Sequence, residues 1–316
     1  MEFLVVKKSG MLTTIQDTGR MSYQKYGISS CGAMDSLSLR LANILVGNDE
    51  GEAAIEITLM GPVLQFIQDG VIAITGANLT PKINGKEVPL WRSISIFEGD
   101  VLSFGMAKEG CRSYLAIAGG INVPIVMGSR STFIRGDFGG FEGRALKAGD
   151  AISVKESGQH LDSVLGRVIP PKYTPNYGEK RKIRFVLGPQ ANSFAAEVIH
   201  QFSSDIYEIL SESDRMGYRL KGPKIPHESA PDIISDYITA GSIQVPGNGQ
   251  PIVLMADCQM TGGYTKIGVV IGVDIPYLAQ QKPGELIQFE RVEINEAQLL
   301  WKKQEQFLST IKMYNK

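Results

Sequence analysis

Along the 316-residue chain, short apolar runs alternate with polar, glycine-rich breaks, and most of the runs carry the two-residue period of a strand. Ser93 to Phe97 alternates polar and apolar positions, as a strand with one buried face does. Asp69-Gly70 leads into the strand-like run Val71-Ile72-Ala73-Ile74. Lys82-Ile83-Asn84-Gly85-Lys86-Glu87-Val88 sets Asn-Gly between two extended runs, and Asn-Gly tolerates the positive φ angles of a tight hairpin. A Gly-acid turn feeding an alternating strand recurs three times, at Gly99-Asp100, Gly149-Asp150 and Gly284-Glu285. Either any all-β chain repeats such turns, or related β-units occur in both halves.

Three stretches have helical spacing instead. From Asp35 an acidic start precedes the stripe Leu37, Leu41, Ile44 and Leu45, with Gly47 as a stop. Phe194, Val198, Ile199 and Phe202 form a second stripe, and Leu300, Phe307, Ile311 and Tyr314 a third, after a cap at Asn295. Residues 155–182 are polar and proline-rich and read as a connector, which divides the chain into an N-terminal β domain over 1–165 and a C-terminal β domain over 166–316 with a terminal helix.

Composition narrows the function by exclusion. The formal net charge of −1 comes without a basic stripe, which argues against a nucleic-acid partner. The 35 Gly and 15 Pro exceed the roughly 12% share of average proteins, so the chain turns often. Three scattered Cys and three His give neither a disulfide framework nor a zinc spacing, so no metal site is expected. With no export signal and no apolar run near the ~20 residues of a membrane helix, the expectation is a cytoplasmic protein without a membrane partner.

Candidate chemistry lies in three polar, glycine-rich blocks; no Walker A loop or dinucleotide fingerprint is present. In the first, Thr13 to Arg20, Asp17 and Arg20 can share a turn, where the carboxylate holds the guanidinium for an anionic ligand or simply pins the turn. Asp35, ahead of its helix, is foremost an N-cap. In the second, Arg130, Ser131 and Thr132 lie between Gly119-Gly120 and Gly139-Gly140, whose backbone can approach an anion or turn a barrel corner. In the third, Arg215 precedes Asp257, Gln259, Thr261 and Tyr264, the last four emerging after the apolar run Ile252 to Ala256. Cys258 reads as a buried, inert thiol.

In this order the blocks resemble the allophanate hydrolase subunit 2-like family, from about Gly10 to Phe289. The resemblance rests on Thr13-Thr14-Ile15-Gln16-Asp17-Thr18-Gly19-Arg20, Gly32-Ala33-Met34-Asp35, Gly128-Ser129-Arg130-Ser131-Thr132, Ser213-Asp214-Arg215-Met216-Gly217-Tyr218, Gly241-Ser242-Ile243-Gln244-Val245-Pro246 and Thr261-Gly262-Gly263-Tyr264. It departs at Ser22, where the family pattern has Gly, and at Cys258 and Thr265, where it has Arg and Pro. The family includes the C subunit of the bacterial ATP-dependent 5-oxoprolinase, the KipI antagonist of bacilli, and part of the carboxyltransferase domain of biotin-dependent urea carboxylase.

The resemblance implies a mainly β fold of two cyclophilin-like β-barrel domains with a few short helices. It also implies a KipI-like B subunit and an A subunit as partners, and ATP, with Mg where a metal takes part, as co-substrate in converting 5-oxoproline to glutamate. On that reading Asp17, Asp257, Gln259 and Thr261 are the catalytic candidates, and Arg20, Arg130, Ser131, Thr132, Arg215 and Tyr264 bind the anionic substrate. Two other roles stay open. One is carboxyl transfer from biotin to urea, allophanate or another small amide; the other is antagonism of a small inhibitor of a sporulation histidine kinase.

Overall fold

The computed structural model describes residues 1–155 and 161–314. The described residues form two compact units: 1–20, 31–155, 161–178 and 307–314 make the first, and 21–30 and 179–306 the second.

The first unit holds eleven strands in two sheets. One runs β11-β1-β4-β9-β6-β7 and the other β2-β3-β10-β5-β8. In chain order they are β1 (Glu2–Lys8), β2 (Leu12–Gln16), β3 (Ala54–Thr58), β4 (Val63–Phe66), β5 (Gly70–Asn78), β6 (Lys82–Ile83), β7 (Lys86–Glu87), β8 (Ser93–Ile96), β9 (Val101–Ser103), β10 (Glu109–Ile117) and β11 (Ala151–Ser153). Both sheets give their apolar positions to one core, with Leu4, Phe66 and Leu102 from the first and Ile15, Ile55, Ile72 and Leu115 from the second. Each large side chain that leaves water in this way is worth about 1.5–3 kcal/mol. The Asn84-Gly85 hairpin forms between β6 and β7, with φ of +50° and +81° at its two central residues.

Helix α1 (Ser36–Leu45) packs on β5 and β10. Asp35 caps it as the sequence requires, its carboxylate accepting from the Ser38 N–H at 2.9 Å. The same carboxylate takes the Ser38 and Tyr177 hydroxyls, at 2.7 and 2.8 Å. Tyr177 comes from the stretch read as a connector. The described part of that stretch belongs to the first unit as far as Gly178, with Val164, Ile169 and Tyr177 buried. Glu156 to His160, within the same stretch, lie outside the described residues.

The second unit is a closed barrel. Its strands are β12 (Ile183–Leu187), β13 (Ile206–Ile209), β14 (Gly217–Lys221), β15 (Asp232–Tyr237), β16 (Ser242–Val245), β17 (Ile252–Leu254), β18 (Thr261–Val270) and β19 (Leu286–Arg291). Seven of them form the ring β12-β19-β13-β14-β17-β16-β18, closed by the antiparallel pairing of β18 with β12, and β15 pairs with β18 outside it. Phe185, Tyr207 and Phe289 pack with Phe202 of α2 (Ala196–Ser204), with Phe202 and Phe289 stacked at 4.5 Å. Helices α3 (Ile275–Ala279) and α4 (Ile294–Tyr314) follow. In α4 the buried positions are Leu308 and Ile311, whereas Tyr314, placed on the apolar stripe by spacing alone, is 85% exposed. Among the described residues no helix is long and apolar enough to cross a membrane.

The three Gly-acid turns share one geometry across the two units. Gly99, Gly149 and Gly284 have φ of +91°, +93° and +85°. Each acid accepts from the N–H three residues earlier: Asp100 from Phe97 at 2.9 Å, Asp150 from Lys147 and Glu285 from Lys282 at 2.8 Å. Each glycine N–H donates to a neighbouring strand, at Phe66, Val6 and Ile209 respectively, and the same residue donates back to the acid's carbonyl. The shared bonding pattern favours related β-units over incidental turns.

Candidate functional site

Just past β2 the chain runs along the loop 129–132 and is stitched to it through Asp17. The Asp17 carboxylate is saturated. Its Oδ1 accepts from the Gly19 N–H at 2.7 Å and from the Ser129 and Ser131 hydroxyls at 2.7 and 2.5 Å, and its Oδ2 accepts from the Arg130 N–H at 2.6 Å. Thr132 completes the seam, its hydroxyl and N–H both donating to the Ile15 carbonyl at 2.9 Å.

The two roles that spacing allowed for an Asp17–Arg20 pair both fail, because no ion pair joins them among the described residues. Arg20 is 1% exposed and lies over the Phe138 ring at 4.9 Å, with Nη2 donating to the Ser131 carbonyl. Its Nε and Nη1 are buried without a hydrogen-bond partner. Each such open donor costs about 1–3 kcal/mol. A Cβ at Gly139 would sit 2.8 Å from Arg20 Nη2 and 2.2 Å from the Ser131 carbonyl oxygen, so a glycine there lets the loop pack closely on this bond. Gly139 and Gly140 also line a cavity of about 480 Å³ with Phe138, Phe141, Val123 and Pro124. Arg130 is partly neutralised, its Nη1 3.2 Å from Glu52, whose other oxygen takes Lys155 at 2.6 Å. Glu52 carries no motif that marks it as this partner.

In the second unit Arg215 and Asp257 form a buried two-pronged pair, with Nε–Oδ2 and Nη2–Oδ1 both 2.9 Å. The sequence set them apart as clamp and base; the fold makes each the other's partner. Cys258, beside Asp257, is buried, and burial followed by the Asp257 charge pushes its thiol up to about 12. Gln259, just before β18, and Thr261, at its start, are exposed, and Tyr264 is 41% exposed on the same strand. Thus Asp17, Arg20, Arg130, Ser131 and Thr132 gather in the first unit, and Arg215, Asp257, Gln259, Thr261 and Tyr264 belong to the second.

Lys266 escaped the motif reading. It is the single charged residue of β18 and is 2% exposed, which is the signal that marks it. Its ammonium donates to Asp236 at 2.6 Å and to the Tyr237 carbonyl at 3.0 Å. Hydrogen bonds from Lys266 first, then from the Tyr237 N–H and the Gln190 amide, hold the Asp236 carboxyl down to about 2.

The model of the carboxyltransferase domain, subdomain A and B, matches residues 26–291. The C subunit of 5-oxoprolinase from Escherichia coli is 40% identical over 93% of both chains, and that from Haemophilus influenzae 39% identical over 95% of this chain and 94% of its own. Among solved structures, the Kluyveromyces lactis urea amidolyase superposes with a TM-score of 0.92 at 32% identity, over 98% of this chain and 20% of its own. With the family model matching most of its length, the chain belongs to the family of the carboxyltransferase domain, subdomain A and B.

Proposed function

We infer that the chain is the C subunit of an ATP-dependent 5-oxoprolinase, which acts with a KipI-like B subunit and an A subunit to open 5-oxoproline to glutamate. The near end-to-end match carries this reading: relatives named as that subunit align over 93% or more of both chains, whereas the urea amidolyases contain the matching region as a fifth of their length or less.

The chemistry of the first cluster supports it. A lactam carbonyl is a poor electrophile because of amide resonance, and phosphorylating its oxygen with ATP removes that obstacle. The site must then hold a carboxylate and several phosphate oxygens, which calls for fixed cationic donors. Arg20 offers two open, buried donors, and we assign it the substrate carboxylate. Asp17 acts as a positioning residue that keeps the Arg130 and Ser131 loop in place. Arg215, paired with Asp257 in the second unit, is a separate candidate clamp.

Reconstituting the chain with its A and B partners and following ATP hydrolysis with and without 5-oxoproline tests the reading. Stimulation by 5-oxoproline is expected; its absence in the complete complex sinks it. The likeness to urea amidolyase favours one second reading, carboxyl transfer to a small amide. It predicts instead that a carboxylated biotin carrier loses its carboxyl group to urea in the presence of this chain.

A further inference from the structure

We propose that the cavity of about 480 Å³ beside loop 137–143 of the first unit binds a small amphipathic amine, a primary ammonium carried on an apolar body. The proposal goes beyond the 5-oxoprolinase reading, whose substrate is an anion, and stands independently of it.

One wall of the cavity is a backbone held in an unusual form. Five of the seven residues from Asp137 to Gly143 are left-handed: Asp137 at φ +53°, Gly139 at +72°, Gly140 at +55°, Glu142 at +54° and Gly143 at +70°. Such a conformation is unfavourable for the two that carry side chains, so the surrounding structure must hold it. It does so through the backbone. The Phe133 N–H donates to the Phe138 carbonyl at 2.9 Å, the Gly140 N–H to the Arg130 carbonyl at 3.1 Å, and the Gly143 N–H to the Gly139 carbonyl at 2.8 Å. Arg144 fixes the far end, donating to the Glu142 and Asp150 carboxylates, each at 2.7 Å. The wall is therefore formed before any ligand arrives, and binding does not have to order it.

The lining sorts by polarity. Phe138, Phe141, Val123 and Val126 give an apolar surface, while Asp137 and Glu142 bring charge. A mostly apolar cavity of this volume with a few polar groups has the makeup of a small-molecule site. Charge then decides the class of ligand. The two charged residues of the lining are both carboxylates, and no Lys or Arg is among them. Glu142 is already neutralised by Arg144. Asp137 has neither an ion pair nor a side-chain hydrogen bond among the described residues, so one negative charge stays open. A single open carboxylate selects a monocation and turns away anions. The rings do not hold the cation themselves. Arg20 lies 4.9 Å over the Phe138 ring and Arg144 5.1 Å over that of Phe141, so each ring already serves a guanidinium. The ammonium goes to Asp137 and the apolar body to the rings.

Calorimetry on the full chain with three probes of one shape, phenethylamine, phenethyl alcohol and phenylacetate, tests the site. The amine should bind about tenfold more tightly than the alcohol, the gain expected from one hydrogen bond between charged groups, and phenylacetate should not bind. Asp137→Asn keeps a residue that tolerates left-handed backbone, so the melting temperature should hold. It should erase the preference for the amine and leave the affinity of the alcohol unchanged. Phe141→Leu should weaken amine and alcohol alike, by about fivefold. No binding of phenethylamine to the wild-type chain overturns the site. So does phenylacetate binding as tightly as the amine, or a preference for the amine that survives Asp137→Asn. Nα-acetyl-lysine methylamide offers the same ammonium on the stem of a protein side chain. If it binds more tightly than phenethylamine, the occupant is a lysine of another protein and the small-molecule assignment fails. None of these outcomes depends on 5-oxoproline-dependent ATP hydrolysis, so failure of the functional reading leaves the site standing and failure of the site leaves that reading standing.

Discussion

Arg20 carries the sharpest conflict between folding and function in the first unit. It is fully buried, touches an aromatic face and one carbonyl, and leaves two nitrogens without acceptors. A sequence reader sees only an Arg three residues after an Asp and pairs them. The pairing fails because Asp17 is claimed by four donors from its own turn and from loop 129–131, a contact more than 110 residues away in the chain. Arg20→Met should therefore cost little or no stability, within about 1 kcal/mol of wild type, because it removes an unsatisfied charge and keeps the apolar stem. The same variant should lose about a hundredfold or more in 5-oxoproline-dependent ATP hydrolysis. Equal loss of stability and activity would make Arg20 structural. Asp257 behaves in the opposite way. Asp257→Ala takes the two-pronged carboxylate away from the buried Arg215 guanidinium, and denaturant titration should register a loss of about 3–5 kcal/mol. Next to it the Cys258 thiol, raised to about 12, should resist alkylation by iodoacetamide at pH 8 until the chain unfolds. Mass spectrometry of native and denatured samples reads this directly.

Elements built from local turn chemistry were legible from the sequence, because a turn needs few residues and those residues are diagnostic. Asn84-Gly85 gives its hairpin, Asp35 caps α1, and the three Gly-acid turns recur with one hydrogen-bond pattern. Helical stripes were less legible. In α4 the spacing of apolar residues does not say which of them meets a neighbour, and Leu308 is buried where Tyr314 is not. The glycines sort into two classes that substitution separates. At Gly149 a Cβ would meet nothing within 4 Å, so Gly149→Ala pays only for the left-handed backbone, about 1–2 kcal/mol. At Gly140 the added Cβ would lie 1.9 Å from Thr132 Oγ1 and φ is +55°. Gly140→Ala must push Thr132 off its bond to Ile15 and should cost at least about 1 kcal/mol more than Gly149→Ala. Denaturant midpoints of the two variants, measured side by side, give the difference; equal costs would mean that the 139–143 loop yields freely.

At the scale of the chain, strand and turn patterns were enough to read a mainly β fold, because burial on one face imposes a period on the sequence. The polar partnerships were not legible, since Lys266 with Asp236 and Arg130 with Glu52 are set by strand order and register, which no local motif encodes. Those partnerships also govern how the whole molecule meets acid. Its 32 Lys and Arg keep their charge as its 33 Asp and Glu take up protons, so self-repulsion rises while specific pairs are lost. Asp236 is held down to about 2 by Lys266. Burial alone would raise Asp150, but the hydrogen bonds from Arg144 and from the Lys147 N–H outweigh it and lower it. A carboxyl depressed in the folded state gives stability that is present above its unfolded value of about 3.9 and is lost as pH falls through the folded value. For Asp236 that window runs from about pH 4 down to about pH 2. The melting temperature of wild type should therefore fall through this window with a contribution that Asp236→Asn lacks. Above about pH 5 the two curves should run parallel, with the variant lower by a constant offset, and they should converge toward pH 2. Curves that stay parallel down to pH 2 would mean that Lys266 does not hold Asp236 in solution.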